Sequence, residues 1–109
     1  NETESAALGG TQFLLGSGVT TIVTTLGERG AEISDNTSTL AVAPYPVNAI
    51  DTVGAGDAFV GALCAELARG ETIEHAARIA SVAGALATTI HGAVPSLPTR
   101  AAVMSLYAD

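Results

Sequence analysis

DTVGAGD, residues 51–57, runs without a break into the apolar stretch AFVGALCAEL, residues 58–67, and this junction decides how the rest of the chain is read. Gly54, Gly56 and Asp57 open a helix predicted from Ala55 to Arg69, with Phe59, Leu63 and Leu67 on one stripe and Gly70 as its left-handed terminator. Without side chains at 54 and 56 a ligand can approach the backbone closely, and the unpaired N–H groups of a first helical turn attract negative charge. A carboxylate at the same helix start is placed to take a proton from a hydroxyl beside a bound phosphate. The same residues also read as an ordinary turn whose acid favours the helix dipole by about 0.3–1 kcal/mol, and Gly-x-Gly-Asp alone does not separate the two. A dinucleotide fingerprint fits less well, because G-x-G-x-x-G needs glycine where Phe59 stands.

Upstream, Val19–Leu26 (VTTIVTTL) is rich in β-branched residues and reads as a buried strand entering a tight loop, Gly27–Gly30. Ala31–Ser34 and Ser38–Ala43 read as two short strands joined by a hairpin turn at Asp35 and Asn36, and Pro44 and Pro46 close the segment. Downstream, Thr72 is placed to cap a helix running from Ile73 to Thr89, with Glu74 in its first turn and Ala76, Ala80, Ala83, Ala87 and Ile90 at helical spacing. A last helix is predicted from Arg100 to Tyr107. Strand, hairpin and then helices read as α/β.

The 109 residues are 48% hydrophobic and 14% charged, which suits one folded unit or part of one. With 4% aromatic residues and no Trp, the core must be built from Ala, Val, Leu and Ile at short range. Eleven acids against four cations (Arg29, Arg69, Arg78, Arg100) give a net charge of -7, so no nucleic acid and no membrane is expected as a partner. The absence of lysine excludes a Walker-type phosphate loop and leaves backbone dipoles and metal ions as the main means of holding phosphate. Cys64, alone within an apolar helical pattern, is expected to be a buried, inert thiol. The 21 residues Ile79–Thr99 carry no Asp, Glu, Lys or Arg, but Pro95 and Pro98 and the helical alanine spacing favour a buried helix and loop over a bilayer span. His75 and His91 are not spaced as a helical metal pair and read as surface or loop residues. No secretory signal is visible, and a cytoplasmic setting is expected. The chain opens on NETES without Met, which leads to the expectation of a piece of something longer or a processed product.

The segment DTVGAGDAFVGAL resembles the second motif of the ribokinase-like carbohydrate kinases, the phosphofructokinase B type family. NETE at the start, TLGERG after the first strand and GAVPSLP after the long helix agree with the family in order and approximate spacing, and these flanking segments look most like ribokinase. The resemblance implies a partial doubly wound, three-layer, Rossmann-like domain, of which this chain is the C-terminal, nucleotide-binding portion without the sugar-binding half and lid. It implies transfer of the γ-phosphoryl of ATP to a primary hydroxyl of a small sugar, ribose first and fructose, a keto-deoxy sugar acid or a nucleoside as alternatives. A nucleotide-binding fragment that is catalytically incomplete is the rival reading. A homodimeric parent enzyme is implied as well.

Carried over by position, the resemblance makes Asp57 the catalytic base, with Gly54, Ala55, Gly56 and the Asp57 amide forming the segment that holds the transferring phosphoryl. Asn1 and Glu4 match an N-x-x-E motif associated with phosphate and Mg²⁺; taken without the neighbouring motifs they read rather as a solvated polar terminus. Thr25, Leu26, Gly27, Glu28, Arg29 and Gly30 match the nucleotide loop, which alone is only a turn. Ser81 falls where relatives contact adenine or its surroundings, although Ala80, Ala83 and Gly84 nearby suggest close helix packing instead. A K⁺ site is implied from the Asp51 carboxylate, a Ser96 oxygen and the carbonyls of Val53, Ala87, Ile90 and Gly92; Asp51 also reads as a turn carboxylate and Ser96 as a loop hydroxyl. The connection SAALGGTQFLLGSG, residues 5–18, is shorter than the helix-containing family connection, which puts the placement of Asn1 and Glu4 in question. The strand at Val19–Leu26, interior in a complete sheet, is expected to have an unpaired edge here.

Overall fold

Three short strands, β1 (Ile22–Thr25), β2 (Ala31–Ser34) and β3 (Thr39–Val42), form an antiparallel sheet in the order β1-β2-β3 in the computed structural model, which describes residues 1–7, 9–89 and 98–107. Ile22 pairs with Ser34 and Thr25 with Ala31; Ala31 in turn faces Val42 and Ser34 faces Thr39. The β2–β3 turn forms at the residues expected, because the Asp35 carboxylate accepts from the Thr37 amide, the Thr37 hydroxyl and the Ser38 amide, each at 2.8 Å. Those bonds, the Thr37 hydroxyl first, hold the Asp35 carboxyl below its usual range. β1 is shorter than the sequence suggested, Val19 is exposed, and within the strand only Thr24 is buried. Its free side is an edge among the described strands, as expected for it.

The strands belong to the first of two compact units, Asn1–Ala43 and Pro44–Asp109, and each is described by itself. The first also holds α1 (Glu2–Ala7) and α2 (Thr11–Gly16), so the short connection after Glu4 does contain a helix, of six residues. The fold class is α/β as read from the sequence, but the described strands pair only antiparallel, since the parallel pairing of a doubly wound sheet is not found among them.

Among the described residues the second unit holds three helices, α3 (Ala55–Ala68), α4 (Ile73–Ala87) and α5 (Arg100–Tyr107). Thr72 caps α4, its hydroxyl accepting from the His75 amide at 3.2 Å, and Gly70 takes a positive φ of 91° where α3 ends. Ala76, Ala80, Ala83 and Ala87 are buried along α4 as their spacing predicts, and Ile79, Val82 and Ala83 pack with Val103 of α5 and the half-buried Ala62, Leu86 and Tyr107. Burying side chains such as Ile79 and Phe59 stabilises the unit by roughly 1.5–3 kcal/mol each. Small side chains on α3 and α4 make the close approach of the two helices possible.

Two expectations for α3 need correction. Cys64 is exposed rather than buried, and on the proposed Phe59–Leu63–Leu67 stripe only Phe59 is buried, Leu67 being 40% exposed. The face that packs carries Ala58, Phe59 and Glu66 instead, a choice the sequence conceals because α3 is apolar nearly all round. Among the described residues no helix is long and apolar enough to cross a membrane.

Candidate active site

The loop before α3 is built to leave two amides open. Asp51 accepts from the Val53 amide at 2.9 Å through Oδ1, and the Ala55 amide donates to the Thr52 carbonyl at 3.2 Å. Gly54 then takes φ 87° and ψ −7°, a left-handed conformation that glycine adopts without penalty, and its carbonyl accepts from Ala58 at 2.9 Å. No side chain caps α3. Among the described residues nothing accepts from the Gly56 and Asp57 amides, which are second and third in the helix and have no partner one turn back. The Ala55 amide is thus engaged, and the anion-attracting pair consists of Gly56 and Asp57, both exposed, under the positive end of the α3 dipole. The Asp57 carboxylate belongs to the same turn and lines an open cleft of about 320 Å³, together with Ala62 and Glu66 of α3, Ile79 and Ala83 of α4, and Arg100 of α5.

Helix α4 fixes this corner from two places. At its end the Thr88 carbonyl accepts from the Ile50 amide at 2.6 Å and the Asp51 amide at 3.0 Å. One turn earlier the buried Gly84 faces the Ala55 carbonyl and Phe59. Asp51, Val53 and the end of α4 are therefore brought together. The Ala85 and Leu86 carbonyls are taken by the amides and hydroxyls of Thr88 and Thr89, whereas nothing among the described residues donates to the Ala87 carbonyl. A carboxylate and an open carbonyl at a helix C-terminus are the hard, partly negative oxygens that suit a monovalent cation. Ile90, Gly92 and Ser96, implied as further ligands, lie outside the described residues, as does His91.

In the first unit the TLGERG segment is a strand end followed by a 3-10 turn, Gly27–Arg29. The Leu26 amide donates to the Gly30 carbonyl at 2.8 Å and the Gly30 amide to the Gly27 carbonyl at 3.1 Å. Gly27 and Gly30 both take positive φ, 61° and 92°, which explains glycine at each. Gly27, Glu28 and Arg29 are exposed, and Thr25, Leu26 and Gly30 half-buried. Asn1 and Glu4 form a capping box on α1: the Asn1 side-chain oxygen accepts from the Glu4 amide at 2.8 Å, and the Glu4 carboxylate accepts from the Asn1 nitrogen at 3.1 Å. Both are exposed. Ser81 is half-buried on α4, in the turn before Gly84. Among the described residues no three His, Cys, Asp or Glu side chains gather as a metal cluster.

Sequence reasoning missed the ion pair at the far side of the cleft. Glu66, 2% exposed, accepts from Arg100 Nε at 2.8 Å and from a second guanidinium nitrogen at 3.4 Å, with Arg69 Nε at 3.9 Å. The Arg100 hydrogen bond holds the Glu66 carboxyl below its ordinary range, and the carboxylate raises Arg100 in return. The partners are 34 residues apart, so no local pattern announces them.

The chain matches the pfkB family carbohydrate kinase description over residues 2–100. It belongs to that family. It is 38% identical over 92 residues to probable fructokinase-4 of Arabidopsis thaliana, an alignment covering 78% of this chain and 28% of that protein. A ribokinase crystal structure from Thermotoga maritima superposes with a TM-score of 0.91 at 28% identity, covering 99% of this chain and 39% of that one. A Vibrio cholerae fructokinase, solved with fructose, ADP and calcium ion, gives 0.85 at 36% identity and covers 95% and 38%. The chain thus spans under two fifths of the length of these relatives, and its fold is the corresponding part of a ribokinase-type domain.

Proposed function

We propose that this chain is the C-terminal, nucleotide-binding part of an ATP-dependent sugar kinase, in which the 51–57 corner carries phosphoryl transfer. The observation that supports it most is the pair of amides at Gly56 and Asp57 without acceptors among the described residues, in one helical turn with an exposed carboxylate. In the reaction the Asp57 carboxylate takes the proton of a primary sugar hydroxyl as its oxygen attacks the γ-phosphorus. The bond from phosphorus to the bridging oxygen of ADP breaks, and ADP leaves. The Gly56 and Asp57 N–H groups steady the charge on the phosphoryl oxygens in flight; one such donor is typically worth ~3–4 kcal/mol of transition-state stabilisation.

The exposed loop Thr25–Gly30 would take the nucleotide, and Ser81 is the residue that the resemblance assigns to the adenine contact. Mg²⁺, held in part through water by the exposed Glu4 carboxylate near Asn1, would offset the phosphate charges. The Asp51 carboxylate and the Ala87 and Val53 carbonyls would help to hold K⁺, which would stiffen the loop that precedes α3; Ile90, Gly92 and Ser96, which the resemblance adds to this site, lie outside the described residues. Both ions suit the oxygen donors present. A cytoplasmic, homodimeric parent with no nucleic-acid or membrane partner belongs to the same reading.

Ribose is the acceptor favoured by the flanking segments; the similarity to fructokinases favours fructose as the second reading. The test is ADP release by the full-length protein containing this chain, with Mg²⁺–ATP and either ribose or fructose. Turnover with one sugar well above the no-sugar rate is expected. Calorimetric binding of ATP with no transfer to either sugar, or to a keto-deoxy sugar acid or nucleoside, would replace the kinase by a nucleotide-binding module.

A further inference from the structure

Helix α4 contains one glycine, Gly84, on a face otherwise built mainly of alanine, and that glycine is buried. A Cβ at position 84 would stand 3.3 Å from the Ala55 carbonyl oxygen and 3.6 Å from the Phe59 Cβ. At Gly56 and Gly61 on α3 a Cβ would meet nothing within 4 Å, so of the three positions it is 84 where an added methyl would press on a neighbour, the Ala55 carbonyl, by a few tenths of an ångström. The Ala55 carbonyl and the Gly56 N–H are the two ends of one planar peptide unit. Whatever presses the oxygen tilts the N–H with it.

We propose that Gly84 is a positioning residue for phosphoryl transfer: its bare Cα seats the Ala55–Gly56 peptide plane against α4 and thereby aims the Gly56 N–H at the transferring phosphoryl. The proposal rests on the function proposed above. The Thr88 carbonyl, which accepts from Ile50 and Asp51, anchors the other flank of the same loop to the same helix, so a shift at Gly84 is taken up in the turn between them. Helix propensity alone favours alanine at this position, so a purely local role would predict a variant at least as stable as the parent and equally active.

The experiment compares Gly84→Ala with Gly61→Ala in the full-length protein, reading kcat, KM for ATP, the thermal midpoint and amide hydrogen exchange at Gly56 and Asp57 without substrate. Gly84→Ala is expected to lower kcat roughly tenfold, since small misplacements of reacting groups are costly. KM for ATP should move less than about twofold while exchange at Gly56 changes severalfold; Gly61→Ala should match the parent in kcat, KM and exchange, with a thermal midpoint at or above the parent's. Parental kcat in Gly84→Ala, or unchanged exchange at Gly56, overturns the proposal. So does a variant that does not fold, which would make Gly84 a packing residue for α3 and α4 as a whole. If the parent protein itself transfers no phosphoryl group, the kinase reading fails, and the exchange comparison still decides whether Gly84 seats the peptide.

Discussion

Gly54 is the residue on which the corner turns. Its φ of 87° lets the chain leave the Asp51–Val53 hydrogen bond and enter α3 within one residue, and the Gly56 and Asp57 amides that follow have no acceptor among the described residues. Any L-residue there pays the left-handed penalty, roughly 1–2 kcal/mol. Gly54→Ala is therefore expected to lose about that much stability in denaturant titration and to lower turnover as well, whereas Gly16→Ala, where a Cβ meets open space and φ is ordinary, should be neutral in both. Equal behaviour of the two would show that the helix start can be reached by another path. Glycine at 54 and 56 was legible from the sequence, but the engagement of the Ala55 amide by Thr52 was not, because it depends on the turn geometry and not on residue type.

At the scale of elements, α4 is the scaffold and Thr72 is where it is set. Replacing the cap by Thr72→Ala should cost about 1 kcal/mol, measured as a lower denaturation midpoint with an unchanged slope. An unaffected midpoint would mean that the His75 amide finds another acceptor. The cap, the alanine face, the start of α4 and the bounds of α5 could all be read from spacing, since each is a local pattern with a local cause; α4 itself ends at Ala87, two residues short of the Thr89 expected, because the Thr88 and Thr89 hydroxyls and amides turn back onto the Ala85 and Leu86 carbonyls. The packing face of α3 could not. With apolar residues on nearly every side, the period carries no direction; the buried face holds Glu66, paired with Arg100, beside Ala58 and Phe59, and Cys64 is exposed. The first strand was overextended for a related reason: β-branched residues favour a strand, but Val19 and Thr20 have no partner strand to pair with among those described.

Over the whole molecule, an acid-rich chain of net charge -7 holds the buried Glu66 carboxylate by a long-range ion pair with Arg100 of α5. Because Arg100 depresses the Glu66 carboxyl in the folded state, the pair stabilises fully above the ordinary glutamate value of 4.5, and that contribution is lost as the pH falls through the depressed value. Glu66→Gln should consequently flatten the acid limb of the stability curve below about pH 4.5 while lowering stability at neutral pH. An unchanged acid limb would place the acid sensitivity elsewhere, with the exposed Asp35 of the hairpin as the next group to substitute. The ribokinase-type fold and the 51–57 corner were both readable from DTVGAGD and its neighbours, and the account stands on the chemistry assigned to that corner. Its most direct test is Asp57→Asn in the full-length protein, with turnover and ATP affinity measured side by side. The account predicts turnover reduced ~10²–10⁴-fold with ATP affinity nearly unchanged; turnover within about twofold of the parent would contradict it.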